Sequence, residues 1–260
     1  MKNLIYTGIL FLIISADGSA QTPAASPDTA VSLREARELA ENGEYLKALQ
    51  GYEELLNRQT ISQGHIRTIR KEYETLNLKI LFSRFETPDS VLHTVAAGDN
   101  LYNLAQKYNT TIALVKKSNG LTSDVIYPGM KLKIQGGIFS VLVNRHTNTL
   151  KMLLNGKTLK HYRVATGENN STPAGEFRIV AKLENPTWYH AGAVVPTGSP
   201  ENILGTRWLG FDHKGYGIHG TTMPETIGQQ KSAGCVRMFN QDVEELYDII
   251  PVGTKVVVSD

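Results

Sequence analysis

The sequence predicts a multidomain chain: an α-helical N-terminal hairpin, a small α+β module, and a mainly-β C-terminal domain, sandwich or barrel-like in architecture. Three observations predict it. Apolar residues recur at helical spacing as far as Phe82. A strand–helix–helix–strand pattern with its own caps and turns fills residues 92–134. From Phe139 onward apolar and polar residues alternate, and Asn155-Gly156 is the best short hairpin signal in the chain. At 260 residues the chain can bury a sizeable core. Its 27 basic and 25 acidic residues nearly cancel, which excludes a sequence-wide basic field and with it a nucleic-acid partner.

Lys2, the mostly apolar run 4–14 and Gly18-Ser19-Ala20 follow one another in the order of a secretory signal. The run is shorter than the roughly 20 residues that span a bilayer. Residues 1–20 are therefore expected to be removed, leaving an exported chain that starts at Gln21. Residues 29–85 form the helical segment. Leu33, Ala36, Leu39 and Ala40 make one apolar face, Gly43 breaks the run, and Ala48, Tyr52, Leu55 and Leu56 make a second face. A third helix is expected over 66–82. Together Ala36, Leu39, Gly43, Tyr45, Ala48, Tyr52 and Leu55 resemble one tetratricopeptide unit. A single unit cannot stack into a solenoid, so a helical spacer is the expectation, with docking of a protein partner as the alternative.

In the second module (91–135), His93-Thr94-Val95 reads as a strand, Asn100 caps a helix through Leu101, Leu104 and Ala105, and Thr111 caps another ended by Asn119-Gly120. Tyr127-Pro128-Gly129 turns into a closing strand over 131–134. The third domain (137–260) has expected strands at 139–143, 150–154, 162–165, 175–180, 216–219 and 255–258. Its one helix, 241–249, is capped by Asn240 and ended by Pro251 and Gly253.

Chemistry points to one thiol. Cys235 is the only cysteine, and an exported protein that keeps an unpaired thiol exposes it to oxidation, so its retention suggests use. A thiolate needs a base or a positive neighbour. Of seven histidines, His219 is favoured: it ends a strand on the face opposite Ile218, Gly220 follows it, and the chain up to Cys235 is long enough to loop back beside it. Gly234 would let backbone amides approach a reacting carbonyl, Ser232 can hydrogen-bond locally, and Arg237 can hold a carboxylate or tie strands together. No paired His/Asp/Glu spacing of a zinc site occurs, and neither metal nor cofactor is expected.

Two family resemblances follow from these residues. HTVAAGDNLYNLAQKYNTT, LVKKSNGL and YPGMKLKI resemble a LysM domain over almost its whole length, which implies binding of N-acetylglucosamine-containing glycans such as peptidoglycan. YGIHGTTMPETIGQQKSAGCVRM, supported by Ala165-Thr166-Gly167, STPAGEF at 171–177 and LGTRWLG at 204–210, resembles the YkuD-type L,D-transpeptidase catalytic domain over 138–258. Many members have histidine where Ala233 stands. The resemblance implies Cys235 as nucleophile, His219 as base, the Gly220 carbonyl orienting the imidazole, and the Gly234 and Cys235 amides facing the oxyanion, with Ser232 in the catalytic set. Arg237, Tyr216 and Trp208 would bind substrate. The implied reaction releases D-alanine from a tetrapeptide stem and transfers the acyl group to an amine, in the periplasm or cell wall. Transfer to water would make a carboxypeptidase. A non-catalytic peptidoglycan-binding scaffold is the alternative of another class. The LysM module would then act as a separable tether that raises local concentration.

Overall fold

The structure, a computed structural model, describes residues 27–190 and 192–260. The expected signal segment 1–20 and the leader after it lie outside the described residues.

Helices α1 (Pro27–Glu41) and α2 (Tyr45–Leu56) form the N-terminal hairpin, and α3 (Gln63–Leu81) packs on α2. The turn between α1 and α2 carries Gly43 at φ +82°, a left-handed conformation that glycine adopts without strain. Ala36, Ala48, Tyr52 and Leu55, positions that set the helical spacing, are buried together with Ile69 and Tyr73 of α3.

Strand β1 (Ser90–Thr94), helices α4 (Leu101–Lys107) and α5 (Ile112–Asn119), and strand β2 (Lys131–Gln135) follow, with β1 and β2 antiparallel. The caps are those the residues dictate. Asn100 accepts from the Asn103 amide at 2.8 Å, Thr111 Oγ1 accepts from the Leu114 amide at 2.9 Å, and Gly120 ends α5 at φ +65°.

This unit is not a bead on a tether. Val115 of α5 enters the module's own core, while the adjacent Leu114 enters the core of the C-terminal domain together with Leu81 of α3. Lys133 of β2 is buried, and its Nζ donates to the Ile80 and Ser83 carbonyls at 2.7 and 2.9 Å, at the C-terminal end of α3. Burial pushes that ammonium down to about 8. Ser118 Oγ donates to the Leu81 carbonyl, Arg84 to the Asn119 carbonyl, Thr111 Oγ1 to the Asp248 carbonyl, and Lys117 pairs with the Asp248 carboxylate at 2.7 Å. On the other side of α3, Glu74 accepts from the His161 amide and pairs with its ring at 2.6 Å. The expected separable tether is thus corrected to a wedge held from two sides.

The C-terminal domain is built on strands β3 (Phe139–Asn144), β4 (Thr149–Leu154), β5 (Lys157–Arg163), β6 (Thr166–Gly167), β7 (Gly175–Glu184), β8 (Trp188–His190), β9 (Ala193–Val195), β10 (Arg207–Phe211), β11 (Gly217–His219), β12 (Gln230–Ser232) and β13 (Val236–Arg237), then α6 (Asn240–Ile249) and β14 (Lys255–Ser259). Eight of these strands form one mixed, curled sheet in the order β13-β11-β10-β7-β14-β3-β4-β5, with small two-stranded additions β12-β6 and β8-β9. The sheet closes over α6, whose Val243, Leu246 and Ile249 are fully buried with Val141, Met152, Ile179, Leu209 and Val256.

Two local expectations are corrected. The strand expected at 162–165 begins at Lys157, because Asn155 (φ +50°) and Gly156 (φ +79°) make a two-residue turn that returns the chain at once. Asn240 does not cap α6 with its side chain. Phe239 occupies the boundary in extended backbone, and Asn240 turns its amide back toward Thr206 and Thr221.

Candidate active site

Three adjacent strands build the site. In β10–β11 Trp208 lies opposite His219, and in the parallel β11–β13 pair His219 lies beside Arg237, so all three side chains leave the same face of the sheet. Their neighbours Leu209, Ile218 and Val236 point the other way and are fully buried. The Trp208 and His219 rings stack with centroids 5.7 Å apart.

His219 is 2% exposed, and its Nδ1 is 2.6 Å from the Gly220 carbonyl oxygen. A carbonyl only accepts, so Nδ1 carries the proton and Nε2 keeps its lone pair. Burial pulls the ring down to about 4 against the Gly220 and Leu204 carbonyls, and the Arg237 charge pulls in the same direction as burial. The imidazole is neutral at pH 7.

Cys235 directly precedes β13. Its Sγ donates to the Gly215 carbonyl at 3.5 Å, and no hydrogen bond joins it to His219 among the described residues. Burial raises the thiol above its ordinary value, opposed by the Gly217 amide and the Arg237 charge. Burial thus favours the uncharged form of both thiol and imidazole. Ser232 Oγ donates to the Cys235 carbonyl at 2.5 Å and accepts from the Gly234 amide at 3.1 Å. The Gly234 N–H is thereby spent inside the turn, which corrects the expectation that it faces an oxyanion. Gly234 has φ +138°, and a Cβ there would sit 2.8 Å from the Tyr216 ring, so only glycine fits. Arg237 is 6% exposed, and its Nε is buried without a hydrogen-bond partner.

A cavity of about 510 Å³ joins these groups. Cys235, His219, Ser232, Arg237, Tyr216 and Trp208 line it, whereas Gly220 and Gly234 stand behind it as backbone supports. Sequence reasoning missed the far wall, Trp188 and Tyr189 on the β8–β9 hairpin, with Leu204. Asn185-Pro186 and Gly192, turn residues on either side of an aromatic pair, were the available signal. Tyr189 is 73% exposed, over the cavity mouth. Among the described residues no group of three or more His, Cys, Asp or Glu is arranged to hold a metal ion.

Comparison with known proteins identifies two domains in the chain. Residues 139–258 match the model of the YkuD L,D-transpeptidase catalytic domain, and residues 93–135 match that of the LysM domain. YqjB of Bacillus subtilis (strain 168), named as an L,D-transpeptidase, is 47% identical over 126 residues, covering 46% of this chain and 70% of that protein. YkuD of the same organism, likewise named, is 33% identical over 175 residues, 64% of this chain and 98% of that protein. Among solved structures, an L,D-transpeptidase from Mycobacterium smegmatis is 17% identical, with a TM-score of 0.41, and covers 51% of this chain and 64% of that one. On the strength of these relatives and domain matches, the chain belongs to the YkuD family of L,D-transpeptidases and carries a LysM domain ahead of its catalytic domain.

Proposed function

We propose that the protein is an exported cysteine L,D-transpeptidase acting on the tetrapeptide stems of peptidoglycan. The observation that carries this reading is that the Cys235 thiol and the His219 imidazole line one cavity, the ring with its Nδ1 proton already committed and Nε2 free to act as a base. The thiol leaves the Gly215 carbonyl and gives its proton to Nε2 as Sγ bonds to the carbonyl carbon of the third stem residue. The resulting oxyanion faces the Cys235 amide, since Gly234 is engaged by Ser232. The bond to the terminal D-alanine breaks as His219 returns the proton to its nitrogen, leaving a thioester on Cys235. An acceptor amine then attacks the thioester, His219 takes its proton, and the thiol is restored as the new amide departs.

Arg237, buried beside both groups with an unpaired Nε, suits a stem carboxylate, and Trp208 and Tyr216 offer apolar walls. The LysM and transpeptidase domains together support peptidoglycan binding. We place the protein in the periplasm or cell wall. No helix among the described residues is long and apolar enough to cross a membrane. The helical segment offers a surface for a protein partner.

Incubating purified protein with disaccharide-tetrapeptide and analysing products by mass spectrometry tests the reading. The expected products are free D-alanine and a cross-linked dimer, both absent with Cys235→Ala. Tripeptide alone would make water the acceptor, and a folded, reduced protein that forms neither product would overturn the assignment in favour of a binding scaffold.

A further inference from the structure

We infer that Asn240 is a positioning residue that sets the tautomer of His219 by aiming the Gly220 carbonyl. The inference rests on His219 acting as the base, as proposed above. The Gly220 C=O and the Thr221 N–H belong to one peptide unit, and no peptide bond in the described chain is cis. In a trans unit these two groups point in opposite directions. The Thr221 N–H donates to Asn240 Oδ1 at 3.0 Å, and Asn240 Nδ2 donates back to the Thr221 carbonyl at 3.1 Å. The first bond holds the N–H of this unit and the second holds the carbonyl of the next, so Asn240 grips both sides of the Thr221 Cα and the Gly220 oxygen faces away from Asn240, onto His219 Nδ1.

The preceding residue is held by the same short segment, because the Met238 amide donates to the His219 carbonyl at 2.8 Å. Residues 238–240 therefore clamp both neighbours of Gly220. Gly205 and Gly220 are glycines for the same reason: a Cβ on either would collide with Asn240 Oδ1. The Asn240 oxygen, the 220–221 peptide and the imidazole N–H form one polarised row of hydrogen bonds ending on the ring that supplies the base. Asn240 does not line the cavity, so its route to the reacting atoms runs through the 220–221 peptide and His219.

Nitrogen-15 NMR of the His219 side chain, with kinetics on disaccharide-tetrapeptide, tests this. The wild-type ring should be neutral with its proton on Nδ1. A wild-type ring protonated on Nε2 would overturn the inference at once. In Asn240→Ala the freed peptide plane should yield a mixture of tautomers, and kcat should fall about 10- to 100-fold with KM little changed. Asn240→Asp, of equal size, keeps the acceptor for Thr221 but loses the donor and should fall between the two. If either variant folds and retains the wild-type tautomer and kcat, Asn240 is merely structural. The NMR result reads positioning without turnover, so it stands apart from any failure of the transpeptidase assignment.

Discussion

The cleft and the seam that joins the three units are held by opposite means. In the cleft, the reactive side chains are fixed by backbone groups: His219 on the Gly220 carbonyl and Cys235 on the Gly215 carbonyl. In the seam, long charged side chains cross from one unit to the next, Lys133 onto the end of α3, Lys117 onto Asp248 and Glu74 onto the His161 ring. A backbone grip leaves a side chain one geometry, and burial keeps it neutral, which a proton-transfer pair needs. A charged grip tolerates small shifts between elements and contributes to holding them together. Damage to the cleft should therefore appear as lost rate at constant stability, and damage to the seam as lost stability at constant rate.

Cys235→Ala is the sharpest way to break this division. It should lower turnover on the order of 10⁴–10⁶-fold while leaving the urea midpoint nearly unchanged, since the thiol is held by weak sulfur hydrogen bonds. A large fall in the midpoint would make the cleft part of the structural support.

A pH series tests the neutrality of the cleft. Unfolded, the His219 ring takes up a proton below about 6.5; folded, it does so only near 4. Between those values the unfolded state binds more protons, so this contribution to stability is fully present above 6.5 and is lost as pH falls toward 4. The loss is on the order of 3 kcal/mol for a ring this buried. Urea unfolding at pH 7, 5.5 and 4 should show wild type losing that much more than His219→Gln. Equal losses would mean that the ring is not held neutral.

Lys133→Met probes the seam. It removes the Lys133 donor from the Ser83 carbonyl and leaves the Ile80 carbonyl only its bonds from Ser83, and should cost about 1–3 kcal/mol by urea denaturation. Where the variant is folded, kcat/KM should stay within about twofold of wild type. The smallest effect belongs to Lys117→Ala. That ion pair with Asp248 is partly exposed, and its loss should cost under about 1 kcal/mol and weaken further in high salt. A larger loss would mean that this edge of the seam is as tightly coupled as the Lys133 edge.

Where a residue's role is local, the chain could be read directly. Asn100, Thr111 and Gly120 act on amides and carbonyls a few residues away, Asn155-Gly156 needs only its own φ values, and His219 and Cys235 announce themselves through adjacent glycines and the spacing between them. Which residues meet across the sheet was a different matter. The roles of Asn240 and Lys133 depend on partners 19 and 53 positions away, and both were illegible for that reason: Asn240 read as an ordinary helix cap and Lys133 as an ordinary strand lysine. The β8–β9 hairpin became part of the cleft only because tertiary packing brings Trp188 and Tyr189 to the same cavity as Cys235 and His219. Side-chain chemistry and short-range geometry are written in residue order, whereas the direction of the Gly220 carbonyl, the burial that keeps His219 neutral and the wedging of the LysM unit arise only when distant segments pack and exclude water from between them.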